Sequence, residues 1–171
     1  MYLKTWLLVL ILFSCNGVKN SVDYLSDVEN ADTEQNTKTV LKYLAIGDSY
    51  TIGQSVPLEN NFPNQLETAL GPLLNASIKT TIIAKTGWRT DNLLNVLKQA
   101  NPESDHDLVT LLIGVNNQFQ GIPFSAYEEQ FPQLLQKALQ YAGGAKEKVI
   151  VVSITDWGYT TFAEGRNREN I

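Results

Sequence analysis

An α/β fold with a parallel sheet covered by helices on both faces is what this sequence predicts, and three observations carry that expectation. From residue 39 onward, short apolar runs alternate with segments of helical period, in the order β-α-β-α-β-α-β. Three of the four strand-like runs deliver a glycine-containing polar stretch at their carboxyl end: Gly47-Asp48-Ser49, Thr86-Gly87-Trp88 and Gly114-Val115-Asn116-Asn117. The 171 residues are 43% hydrophobic and 18% charged, which suits one globular domain with a real core and is marginal for two.

The first strand is read at 39–47, TVLKYLAIG, β-branched and apolar and closed by a glycine. A helix follows at 61–74, where Phe62, Leu66, Leu70 and Leu73 recur at helical spacing and Gly71-Pro72 blurs the end. The second strand, 77–87, again ends at a glycine. The helix at 90–101 opens with Thr90 or Asp91 as cap and is stopped by Pro102. The third strand, 107–114, is the most apolar. The next helix, 125–144, has Ser125 and Glu128 in capping-box spacing, a buried stripe of Phe131, Leu134, Leu135, Ala138 and Leu139, and Gly143 as its stop. Pro132 inside it should kink the helix or delay its start. A fourth strand is expected at 147–154.

Ahead of this domain, residues 1–15 have the form of an export signal. Lys4 supplies a positive start, and Trp6 to Phe13 is an unbroken apolar run. That run is too short to cross a bilayer of roughly 30 Å as a helix, but it has the length of a signal-peptide core. Leu12-Phe13-Ser14-Cys15 resembles the lipobox of bacterial lipoproteins, with bulky Phe13 as a departure, and the chain's single cysteine stands where lipid would be attached. The expectation is a lipid-anchored protein of the bacterial cell envelope, or a secreted or periplasmic one if the signal is simply cut near Ser14. Residues 16–38 are polar, acidic and aperiodic, which reads as a flexible tether, so the hydrolase-like domain is placed at 39–171.

A net charge of −5 with no Lys/Arg cluster argues against nucleic acid as a partner. One cysteine and one histidine, His106, form no metal-binding spacing, so neither a metal nor another cofactor is expected. Neither of the phosphate-cradling patterns GxGxxG and GxxxxGK[ST] occurs, which disfavours a nucleotide-binding relative.

Taken together, AIGDSYTIG with Ser49, AKTGWRT with Gly87 and LLIGVNNQ with Gly114 and Asn116 resemble three of the four blocks of the SGNH, or GDSL-type, esterase and lipase family. The resemblance implies a flavodoxin-like α/β/α sandwich in which Ser49 attacks an ester carbonyl. It also implies an oxyanion hole made by the Ser49 N–H, the Gly87 N–H and the Asn116 side-chain amide. The implied substrates are small-molecule, lipid or acetylated-sugar esters, with the alcohol and acyl groups left open. Asp48 is read as a turn-stabilising neighbour rather than a participant.

The family's fourth block, Asp-x-x-His, has no counterpart before Ile171. His106 precedes the third strand and should therefore lie at the wrong end of the sheet, about 20 Å from the active edge, as a surface histidine among acidic neighbours. A C-terminally incomplete esterase, inactive for want of its base, is the leading expectation. The alternative is a non-catalytic, lipid-anchored module that binds carbohydrate or acyl groups.

Overall fold

The computed structural model describes residues 39–165; the signal, Cys15 and tether readings at 1–38 lie outside these residues. The described residues belong to one compact unit, Thr37–Ile171.

Strand β1 (Thr39–Gly47) forms over its expected span, and its last five residues are buried. Among the described residues it is central, pairing in parallel with β2 (Ala76–Ala84) on one side and β3 (Leu108–Leu112) on the other. Strand β4 (Val149–Val151) pairs in parallel with β3, giving the order β2-β1-β3-β4. The chain thus steps from β1 outward to β2, then crosses back over β1 to β3 and on to β4. Right-handed crossovers put the helix of the first step on one face and the helices of the next two on the other.

Those helices are α2 (Phe62–Leu73), α3 (Thr90–Ala100) and α5 (Phe124–Tyr141). The principal core lies between the sheet and the α3–α5 layer. It joins Leu44, Ile46, Val109, Leu111 and Ile113 to Leu93, Leu97, Leu134, Ala138 and Tyr141. The opposite face is buried as well, at Tyr43, Ala45 and Leu112, and Tyr43 is joined to Thr110 by a 2.9 Å hydroxyl–hydroxyl hydrogen bond. This is the three-layer α/β/α arrangement. Two short helices complete it: α1 (Ser49–Ile52) and α4 (Val115–Phe119), each directly after a strand.

Several local expectations are corrected. The second strand stops at Ala84 because residues 85–88 turn. The fourth keeps only three residues, since Lys146–Lys148 form a 3-10 turn before it and β3 itself ends at Leu112. Leu73 does not reach the core and is 78% exposed. Helix α3 is capped by Arg89 rather than Thr90 or Asp91, the Arg89 N–H donating to Asn92 Oδ1 at 3.1 Å.

Helix α5 begins at Phe124, one residue before its expected span, with Pro123 at the cap and no side-chain cap from Ser125. Pro132 neither delays nor breaks it: the residue is exposed, as is Glu128, whose carbonyl loses the partner that the missing N–H would have supplied.

Candidate active site

Each strand end builds one part of the site. At Gly47, an added Cβ would collide with Thr51 Oγ1 and with the carbonyl oxygen of Leu112, so only glycine lets α1 fold back against the strand it leaves. Asp48 then caps α1. Its Oδ1 accepts the Tyr50 N–H at 3.0 Å, and its carbonyl accepts the N–H groups of Thr51 and Ile52, both at 3.1 Å. Ser49 is the first residue of that helix and is half-buried. The N–H of a first helical residue has no partner within the helix, which leaves it free to serve as a donor.

Gly87 sits in the turn after β2, closed by the Trp88 N–H donating to Lys85 O at 3.2 Å. It is the third residue of that turn, with φ of 77°, a conformation that costs a side chain and suits glycine. No atom lies within 4 Å of where its Cβ would be, so conformation rather than crowding calls for glycine here.

Asn116 is the second residue of α4, and its amide spans the other two strand ends. Nδ2 donates to Trp88 O at 3.0 Å and lies 3.4 Å from Asp48 Oδ2. The first contact touches the residue after Gly87, the second the residue before Ser49. Further ties fix the loops to one another. Thr86 Oγ1 donates to Gln54 Oε1 at 2.7 Å, and Gln120 Nε2 donates to Gly87 O at 2.9 Å. Gln120 Oε1 in turn accepts from Arg89 Nη1 at 2.7 Å.

Two residues here were missed or undervalued in the sequence. Asn117, read only as part of a motif, is buried and clamps the start of α3: it donates to Thr90 Oγ1 at 2.8 Å and accepts the Thr90 N–H at 3.1 Å. Two adjacent asparagines after an apolar strand were the available signal. Asp48 does stabilise its turn, but it also touches Asn116. It is fully buried, and that burial pushes its carboxyl up to about 6, against the opposing pull of the Tyr50 N–H and its own backbone N–H.

The site lies at the carboxyl ends of β2, β1 and β3. Between β1 and β3 the chain reverses its direction of winding, and this is the crevice where open α/β sheets bind ligands. On the Ser49 side, a shallow cavity of about 490 Å³ is lined by Gln54, Ser55, Asn60 and Asn61 among others.

His106 is at the amino end of β3, as expected, but it is not a surface residue: it is only 7% exposed. The last turn of α5 covers it. There the Tyr141 carbonyl accepts the His106 N–H at 3.0 Å and lies 3.2 Å from ring Nδ1, which must carry its proton to bond a carbonyl. The otherwise orphaned end of a helix thus accounts for its burial.

A family model described as the GDSL-like Lipase/Acylhydrolase family matches residues 45–171. Among solved structures, the chain is similar to AlinE4, described as an SGNH-hydrolase family esterase, at 21% identity and a TM-score of 0.57. That match covers 67% of this chain and 59% of AlinE4. It is also similar to TesA, at 19% identity and a TM-score of 0.53 over 66% of this chain and 60% of that one. At such identities the likeness speaks to the fold alone, and the chain spans about 60% of the length of these two structures. No curated protein matches it by sequence.

Proposed function

The chain belongs to the GDSL-like lipase/acylhydrolase family, and on that premise we propose that it acts on carboxylic esters through Ser49. The observation that carries this reading is the reach of one side chain, Asn116, to the neighbours of both Ser49 and Gly87. In the proposed reaction, Ser49 Oγ attacks the carbonyl carbon as its proton passes to a base. The carbonyl oxygen becomes an oxyanion that accepts from the Ser49 N–H, the Gly87 N–H and the Asn116 amide. The bond to the alcohol oxygen then breaks, and the leaving group takes up the proton. Water repeats the sequence on the acyl-serine and releases the acid. One N–H of Asn116 is held by Trp88 O. The longer 3.4 Å contact to Asp48 is near the limit of a hydrogen bond, so that second N–H is the one the oxyanion would take as a donor.

Within residues 1–171 the only histidine is His106, buried at the opposite end of β3. Residues 1–171 by themselves are expected to turn over slowly, with the proton transfer from Ser49 as the limiting step. A second reading is a non-catalytic module that binds an acyl or carbohydrate group.

Imidazole added to the solution separates the two readings. Hydrolysis of p-nitrophenyl acetate above the buffer-and-imidazole background should rise with imidazole, and mass spectrometry should find acetyl on Ser49. Ser49→Ala should abolish the excess, and Asn116→Ala should lower it about 100- to 1000-fold. Equal rates for wild type and Ser49→Ala at every imidazole concentration would overturn the esterase reading and leave the binder.

For location, we propose that Cys15 carries lipid and holds the protein at the bacterial cell envelope. Its support is the sequence Leu12-Phe13-Ser14-Cys15 after an apolar run. Labelled fatty acid should enter the wild-type protein, and Cys15→Ala should move the protein to the soluble fraction. No label in the wild type would sink the lipobox reading.

A further inference from the structure

Helix α4 lays two side-chain amides along the turn that carries Gly87. Asn116 and Gln120 are four residues apart, and the Gln120 N–H donates to Asn116 O at 3.0 Å, so the helical period sets both on one face. Their side chains grip consecutive carbonyls: Asn116 Nδ2 donates to Trp88 O at 3.0 Å, and Gln120 Nε2 donates to Gly87 O at 2.9 Å. The sense of the Gln120 amide is fixed by its partners. Arg89 Nη1, which can only donate, stands 2.7 Å from Oε1, and the Gly87 carbonyl can only accept. A flipped amide would lose both bonds. Arg89 is itself gripped by Asp91 in the first turn of α3, through Nε to Oδ1 at 3.0 Å and Nη2 to Oδ2 at 2.7 Å. Hydrogen bonds thus lead from α3 through Asp91, Arg89 and Gln120 to the Gly87 carbonyl.

We propose that Gln120 is a positioning residue: it holds the Gly87 turn against the helix that carries Asn116, so that two oxyanion donors from different strand ends keep one spacing. The inference rests on the esterase reading for the purpose of that spacing, and the effect of Gln120 passes through Gly87. The turn needs such a hold. No atom lies within 4 Å of where a Gly87 Cβ would be, so packing does not fix the residue, and glycine exchanges positive for negative φ at little steric cost. Its φ of 77° is that of the third residue of a type II turn. The middle peptide of this turn carries the Gly87 N–H, and passing to the type I form would turn that N–H over. Gln120 pins the Gly87 carbonyl on one side of that peptide. On the other side, Thr86 Oγ1 is held by Gln54 Oε1 at 2.7 Å, and the Gln54 N–H donates to Ser49 O at 3.0 Å. With both flanks held, rotation of the peptide between them is opposed.

Two substitutions in the intact chain test this. Gln120→Ala removes the bond, whereas Gln120→Glu keeps the size and the acceptor for Arg89 but sets a carboxylate oxygen, which cannot donate, opposite the Gly87 carbonyl. In both variants, 15N relaxation should show the Gly87 amide loosening, its order parameter falling from about 0.85 to below about 0.6. Imidazole-supported hydrolysis of p-nitrophenyl acetate should fall about 10- to 100-fold, with the loss in kcat and KM unchanged. Gln120 is exposed, so the urea midpoint should stay at its wild-type value. A rate lost in Gln120→Ala but kept in Gln120→Glu would assign the effect to bulk or to Arg89 and overturn the proposal. An unchanged Gly87 order parameter in both variants would overturn it too, as would wild-type kcat in variants whose Gly87 has loosened. Should wild type and Ser49→Ala hydrolyse alike, the esterase reading falls, and the order parameter alone decides whether Gln120 holds the turn.

Discussion

Asp48 is out of contact with solvent, and the groups that bond its carboxyl are N–H donors, not a cation. Burial raises its pKa from 3.8 to about 6, which means the folded state holds the proton more tightly than the unfolded chain does. Stability from this residue is therefore greatest at low pH and declines as pH rises from about 4 to about 6. Ionised, the group costs up to about 3 kcal/mol at neutral pH. Asp48→Asn keeps an acceptor for Tyr50 and removes the charge. Its amide also turns a donor toward Asn116 at every pH, so the charge is read from the difference: the variant should be more stable relative to wild type at pH 8 than at pH 4, by about 1–3 kcal/mol in urea unfolding. A change of the same size at both pH values would contradict the account. The two site glycines make a matched pair at the same scale. Gly47→Ala drives a methyl into Thr51 and the Leu112 carbonyl and should cost about 3 kcal/mol or more. Gly87→Ala meets open space and should cost only the conformational penalty, about 1–2 kcal/mol. Equal losses in the same unfolding assay would show that crowding at Gly47 has been misjudged.

Among the elements, α5 holds the clearest tension between local preference and tertiary packing. Pro132 sits in its middle, yet the helix runs from Phe124 to Tyr141 because Leu134, Ala138 and Tyr141 are committed to the core. Pro132→Ala restores an N–H for the Glu128 carbonyl and should raise stability by about 1–3 kcal/mol. An unchanged urea midpoint would mean the helix has already absorbed the defect. The same contest explains what could be read in advance. β1, buried along its last five residues and glycine-ended, was legible to the residue. The stripe of α5 was legible in part: Leu134 and Ala138, four apart, are buried and Phe131 and Leu135 pack half-buried against the core, but buried Tyr141 was not read from the spacing. The one-turn helices α1 and α4 were not, because four or five residues have no helical stability of their own and exist through contacts such as Asn116 with Trp88. At the site, the motifs yielded Ser49, Gly87 and Asn116 as candidates. The bonds from Asn117 to Thr90 and from Gln120 to Gly87 join residues 27 and 33 positions apart, a pairing no local spacing encodes.

At the scale of the molecule, the two ends of the sheet are built differently. The carboxyl end gathers glycines, amides and two cavities. The amino end is tied by charge: Lys42 Nζ meets Glu103 at 2.8 Å and Asp105 at 2.7 Å, and Lys148 Nζ meets Asp107 at 3.3 Å. Exposed pairs of this kind contribute about 0–1 kcal/mol each. His106, beneath them, is another matter, because its backbone and its ring both address the last carbonyl of α5 from a buried position. His106→Ala leaves a cavity and weakens the closure of that helix end, so it should cost about 1–3 kcal/mol. The imidazole-supported hydrolysis at Ser49 should nonetheless keep its rate at a temperature where the variant is fully folded. A merely structural histidine predicts that split between stability and turnover. If turnover of the folded variant fell tenfold or more, His106 would have to act on the chemistry across the length of β3. The separation of a tying end from a reacting end would then be wrong.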